Sequence, residues 1–212
     1  MFEPLKITAY PRCGIESDVY LPIDGILFGE AMANYYGPQL LSTPGEMANA
    51  PPVDLPIEKR TANGHWFYAA SFAQWGPHTD GATFWTKRFD RKTDNLIDFG
   101  KNRGKVITEQ GRHKAYMMPV FYRHALSVSW YVFGERGAIT DLLATVTHIG
   151  KKPAQGEGRI NQWTVEPAAH DYSVYGANGQ PMRSIPSKMG VLYGVRPSYW
   201  YHKNQTLCLL PT

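Results

Sequence analysis

The chain has 212 residues and a formal net charge of +4, enough to bury a proper core in one medium domain or in a small domain with an elaborate insertion. No apolar run reaches the ~18 residues of a membrane span, and the opening MFEPLKITAY lacks the charged start, apolar stretch and small-residue cleavage site of a signal peptide, so a cytoplasmic protein with no membrane partner is expected. Only Cys13 and Cys208 occur, which excludes a disulfide framework and a metal site built on paired cysteines.

In chain order, the first element is a strand over residues 5–10, where Leu5, Ile7 and Ala9 alternate with Lys6, Thr8 and Tyr10. LPIDGILFGEAMANYYG predicts a helix from about Asp24, with Ile23, Leu27, Ala31 and Tyr35 four residues apart and Gly37 as its stop. Gly25 and Gly29 each cost such a helix about 1 kcal/mol relative to alanine, and close packing would be their use. The proline-punctuated residues 41–56 read as a surface connection, and residues 57–60 and 65–72 as extended segments.

The next stretch changes character. Residues 87–124 carry ten Lys/Arg against four Asp/Glu, whereas residues 1–60 carry four against eight. GATFWTKRFDRKTD and KNRGKVITEQGRHKAYMMPVFYRH interleave these cations with Phe84, Trp85, Phe89, Tyr116, Phe121 and Tyr122. Aromatic faces stack on unpaired bases while Lys and Arg neutralise phosphates, which favours a nucleic-acid surface over an ordinary half-buried hairpin. Glycines and charges between residues 90 and 111 suggest a mobile loop.

Beyond it, ALSVSWYVFG alternates Leu126, Val128, Trp130 and Val132 with polar or outward positions, a strand with one face in the core. ERGAITDLLATVTHIG places Ile139, Leu142, Leu143 and Val146 on one stripe of an amphipathic helix ending near Gly150. RINQWTVEP is a further strand, and the remainder from Asp171 reads as short strands and turns. The order strand, helix, strand, insertion, strand, helix, strand is that of an α+β, ferredoxin-like βαββαβ domain of the kind found in RNA-recognition motifs. One domain is expected, with a basic insertion over about residues 73–123, between the second and third strands, and a β-rich extension over about 171–212. The third strand lacks the aromatic consensus of an ordinary RNA-recognition motif, so base stacking on an open sheet face is not supported.

HIGKKPAQGEGRI, residues 148–160, joins the last scaffold helix to the last scaffold strand and sets Lys151, Lys152 and Arg159 among Gly150, Gly156 and Gly158. Free glycine amides can approach a ligand closely, and the flanking cations call for an anionic one. The loop is not a Walker A motif, because no Lys-Ser/Thr follows Gly156, and not G-x-G-x-x-G, because it follows a helix. Two adjacent lysines and an arginine suit a polyphosphate chain better than one isolated phosphate.

Such a domain, with a glycine-rich loop after its second helix and a basic hairpin between its second and third strands, resembles the RAMP superfamily of CRISPR-associated proteins. LPIDGILFGEAM, GHWFYAASFAQW, VTHIGKKPAQGEGRINQWTVEP and PMRSIPS closely resemble the subunit of type IV CRISPR effector complexes that binds the 5′ handle of the guide RNA. The resemblance implies a non-catalytic, cofactor-free subunit that caps one end of the ribonucleoprotein, grips the crRNA handle and contacts the neighbouring backbone and large subunits. It places Gly150, Lys151, Lys152, Gly156, Gly158 and Arg159 on the family's glycine-rich loop. Lys87, Arg88, Arg112, His113, Lys114 and Arg123 fall in the region of its thumb. Lys188, Arg196 and Lys203 extend the positive charge and leave contact with target DNA near the protospacer-adjacent motif open, although no base-reading motif accompanies them.

The rival reading is a metal-independent endoribonuclease that processes precursor crRNA, for which His113, Lys114, Tyr116 and His124 would supply base, acid and phosphate-binding cation. A metal-dependent hydrolase is weaker still, since His65, His78, His148, His170 and His202 are scattered. A protein-only module would use Trp75, Trp85, Tyr199, Trp200 and Tyr201 as anchors and leaves the charge distribution without a role.

Overall fold

The computed structural model describes residues 1–37, 51–90, 92, 96, 104, 106–151 and 153–211. Lys152, the expected surface connection up to residue 50 and most of the expected mobile loop lie outside those residues. The described residues include two α-helices and ten strands, an α+β protein. They form two compact units, one of Met1–Thr79 with Arg123–Thr212 and one of Asp80–Tyr122.

The larger unit is built on the strand that alternation predicts. β1 (Phe2–Pro11) buries Leu5, Ile7 and Ala9 completely and lies between β7 (Val128–Glu135) and β8 (Ile160–Pro167), antiparallel to both. β4 (Gln74–Trp75) completes a four-stranded sheet in the order β4-β7-β1-β8. Register puts Ile7 opposite Trp130 and Val165, and Ala9 opposite Val128 and Trp163, so one sheet face is continuous apolar surface. Against the core pack Ile23, Leu27, Ala31 and Met32 of α1 (Ile23–Tyr36) and Ile139 and Leu143 of α2 (Arg136–Leu143). Each of these isoleucine, leucine and methionine side chains contributes about 1.5–3 kcal/mol by leaving water.

The helix expectations hold at the starts and differ at the ends. Gly37 stops α1 with φ 92°, and its N–H donates to the Ala33 carbonyl at 2.9 Å. Tyr35, fourth in the apolar series, is exposed because the core ends a turn earlier. Gly25 is a close approach, since a Cβ there would stand 3.2 Å from Pro22 Cγ, whereas Gly29 has open space. α2 ends at Leu143 instead of near Gly150. Thr145, Val146 and Thr147 are β-branched in succession and favour leaving the helix. The Thr145 hydroxyl donates back to the Leu142 carbonyl at 3.1 Å, and the Val146 carbonyl accepts from the Trp163 indole at 2.9 Å.

Residues read only as extended form a hairpin. β2 (Lys59–Ala62) and β3 (His65–Tyr68) pair with Ala62 opposite His65, across Asn63 and Gly64 at φ 45° and 78°, the conformation a two-residue I′ turn requires. The C-terminal strands β9 (Ile185–Gly194) and β10 (Gln205–Leu209) make a second antiparallel pair.

A buried polar clasp ties this extension to α1 and β3. The fully buried Arg183 donates to the carbonyls of Tyr68, Ala70 (3.1 Å) and Val195 (2.6 Å) and to the Tyr199 hydroxyl (3.1 Å), which donates in turn to Asp24 at 2.8 Å. Arg183 Nη1 lies 3.6 Å from the Asp24 carboxylate, also fully buried. Burial pushes the Asp24 carboxyl up, while Arg183 and the Tyr199 hydrogen bond pull it down. Burial likewise pushes the Tyr68 hydroxyl up to about 12.

Candidate nucleic-acid interface

The glycine-rich loop is built differently from its sequence reading. Gly150 and Gly158 have φ of +84° and +69°, and a Cβ on either would run into a carbonyl, of Glu16 and Ile149 respectively. Gly150 thereby lets the loop dock on the segment that leaves β1, and Gly158 lets the two arms of the loop close on each other. The Lys151 N–H donates to the Glu16 carbonyl at 2.6 Å and that of Gly158 to Gly14 at 2.8 Å. The Gly156 N–H donates to Pro153 at 2.9 Å, and the Arg159 N–H to Cys13 Sγ at 3.2 Å. The expected free amides at these positions are therefore committed inside the protein, and what the loop offers an anion is side-chain charge.

That charge converges on residues 12–18. Arg12 donates its N–H to the Arg159 carbonyl at 2.7 Å, and both side chains are exposed. Lys151 Nζ sits 2.6 Å from Asp18 in a pair exposed on both sides, worth under about 1 kcal/mol. From β6 (Tyr116–Ala125), Arg123 exchanges two main-chain hydrogen bonds of 2.9 Å with Ile15 and holds its guanidinium 4.9 Å over the Trp75 ring. Sequence reading missed Arg12 and Cys13. Their signal was position alone, just past a well-marked strand.

The smaller unit holds the two-stranded ribbon of β5 (His78–Lys87) and β6 from Asp80 to Tyr122, the outer ends of both strands belonging to the larger unit. Trp85 meets the Tyr116 ring edge-on at 5.1 Å, and Lys87 Nζ lies 6.0 Å from the same ring. The Tyr122 ring fills the space beside Gly81. Alternation sends Phe84 to the opposite face of β5 from Trp85, and Met117 and Phe121 to the opposite face of β6 from Tyr116; these three are 58%, 62% and 70% exposed. Arg88 and Lys114 are exposed, Arg112 falls in the short 3-10 turn Gly111–His113, and the His113 ring packs on Phe89 at 5.1 Å.

The residues of the nuclease reading divide between the units. His113, Lys114 and Tyr116 lie in the smaller one, whereas His124 lines a cavity of about 310 Å³ in the larger one with His78, Thr79 and Leu126. Among the described residues no group of three or more His, Cys, Asp or Glu is placed to hold a metal ion, and no helix is long and apolar enough to cross a membrane. In the tail, Lys188 is exposed and Lys203 lies 5.7 Å over Tyr201. Arg196 is spent on structure, 4.7 Å over Trp66 and donating to Asn204 at 2.8 Å. Of the aromatic anchors, Tyr199 belongs to the buried clasp and Trp200 is 55% exposed.

These features define an α+β protein whose exposed cations gather around one main-chain segment and along one aromatic ribbon. A family model described as CRISPR type IV associated protein Csf3 matches residues 4–211, and the chain belongs to that family. Membership implies partnership with other components of a type IV complex. No curated protein matches the chain.

Proposed function

We propose that this chain is the non-catalytic RNA-binding subunit of a cytoplasmic type IV effector complex, holding the 5′ handle of the crRNA and capping the backbone filament. The observation that carries the reading is the convergence of Arg12, Arg123, Lys151 and Arg159, from three separate stretches of sequence, on residues 12–18. The exposed guanidinium groups of Arg12 and Arg159, and the Lys151 ammonium held by one exposed ion pair, suit a phosphate backbone. The sheet order β4-β7-β1-β8, with a helix after β1 and another after β7, supports a ferredoxin-like, RAMP-type scaffold. In that reading Asp80–Tyr122 is the thumb, with Trp85, Tyr116 and Lys87 as its RNA-facing group. An isolated two-stranded ribbon is marginal in water, so the opposite face with Phe84, Met117 and Phe121 fits a backbone or large subunit.

One observation favours a second reading, metal-independent cleavage of precursor crRNA: His124 and His78 line the same cavity. One experiment separates the two. The complex is purified from its native host, its RNA is photocrosslinked, and crosslinked peptides and RNA ends are sequenced. Crosslinks within residues 12–18 and 150–159 to repeat-derived 5′ sequence are expected, and their absence sinks the proposal. Metal-free cutting of a repeat transcript that His124→Ala abolishes would establish the nuclease instead.

A further inference from the structure

The larger unit carries a cavity of about 520 Å³ whose walls include Tyr20, Tyr193, Tyr199, Trp200, Asp18 and Gln205. Two of its rings are pinned from behind. The Tyr199 hydroxyl donates to Asp24 at 2.8 Å and the Tyr20 hydroxyl to the Pro211 carbonyl at 2.9 Å, while Tyr193 meets Tyr20 edge-on at 5.7 Å. Gln205 donates its amide to the Tyr199 carbonyl at 3.2 Å. The aromatic surface is thus fixed in advance, which spares a ligand the cost of ordering it. Trp200, at 55% exposure, is the aromatic wall most open to solvent. Asp18 connects the cavity to the glycine-rich loop, because its carboxylate is the partner of Lys151 at 2.6 Å.

We propose that this cavity holds one unpaired nucleobase of the bound RNA, with that nucleotide's phosphate on Lys151, and that Asp18 selects guanine. The inference rests on the RNA-binding reading above and adds a base preference to it. Aromatic walls accept any base, since every base has a stacking face. Selection comes from Asp18. A carboxylate presents two acceptors side by side, which match the adjacent N1–H and N2–H donors of guanine's Watson–Crick edge. Uracil offers one N–H between two carbonyl oxygens, and those oxygens meet the carboxylate unfavourably. The Lys151–Asp18 pair, 52% and 72% exposed, opens at little cost and gives each partner a better one, a phosphate for the ammonium and paired N–H donors for the carboxylate. An apolar anchor from a neighbouring subunit would use Val19 and Leu192, which are 81% and 63% exposed. It would also cover the Asp18 carboxylate while offering it no donor beyond Lys151, which disfavours it.

Fluorescence anisotropy with the purified full chain tests this, using a labelled short oligouridylate and the same oligomer carrying one guanosine. The guanosine probe is expected to bind about tenfold tighter. Asp18→Asn, an exposed substitution, removes that preference while oligouridylate binding stays salt-dependent, and Trp200→Ala weakens both probes about tenfold. Equal affinities in the wild type, or a preference that survives Asp18→Asn, overturns the base pocket; salt-dependent oligouridylate binding then leaves the RNA-binding reading in place. Failure of both probes to bind sinks that reading and the pocket together. Equal affinities combined with loss of partner subunits from a Leu192→Asp complex assign the cavity to a protein anchor.

Discussion

Arg183 and the cations around residues 12–18 are positive side chains of the same unit held in opposite ways. Arg183 has no exposure, hydrogen-bonds to three carbonyls of neighbouring segments and one hydroxyl, and faces a buried carboxylate 3.6 Å away. Lys151 is half exposed with one exposed partner, and Arg12 and Arg159 stand in solvent. Burying a guanidinium costs several kcal/mol unless its donors are satisfied, so the saturated arginine has nothing left for a ligand. An exposed cation keeps its charge available and adds little to stability. Charge counting treats the two alike, and their surroundings assign them different work.

The largest effect should come from the buried member. Arg183→Ala leaves Asp24 buried without its counter-charge and is expected to cost about 3–5 kcal/mol in urea unfolding. A loss under about 1 kcal/mol would mean the clasp is not what holds the C-terminal strands. Next comes the loop. Gly158→Ala puts a Cβ into the Ile149 carbonyl at φ +69°, and about 1–3 kcal/mol should be lost, with faster hydrogen exchange at the Lys151 and Gly158 amides. Gly156→Ala shares the positive φ but meets nothing within 4 Å, so it should cost less. Equal losses at the two positions would show that backbone conformation alone, not the close approach to Ile149, makes these glycines necessary.

What was legible in the sequence follows the range of the interactions. β1 and β7 could be read because a period of two puts Leu5, Ile7 and Ala9, and Val128, Trp130 and Val132, on a face that burial confirms. The start of α2 was legible for the same reason. Its end was not, because Val146 stays in the apolar stripe and in the core after the chain has left the helix, and the Trp163 indole that donates to its carbonyl lies on β8. Residues 150, 156 and 158 were visible as glycines. The direction of the loop's amides was not, since the Gly158 N–H turns toward Gly14, on a stretch no local pattern pairs with it. The link of Asp24 to Arg183 and Tyr199 is likewise long-range, with only an arginine inside PMRSIPS as a hint.

The exposed cations complete the contrast with the smallest effect on folding and a distinct effect on binding. Arg12→Ala combined with Arg159→Ala removes two solvent-exposed side chains while keeping the main-chain hydrogen bond between these residues. The urea midpoint should therefore shift by no more than about 0.5 kcal/mol of stability. If both guanidinium groups neutralise phosphates, the slope of log affinity against log salt for a single-stranded repeat-derived RNA should fall by about 1.4, roughly 0.7 for each lost contact, with little dependence on RNA sequence. A stability loss above about 1 kcal/mol would place these arginines with Arg183 as structural groups and erase the distinction. An unchanged slope with unchanged stability would leave them as bystanders and move the phosphate track to the ribbon of Lys87, Arg88 and Lys114, where the same slope measurement on Lys87→Ala with Lys114→Ala decides the matter.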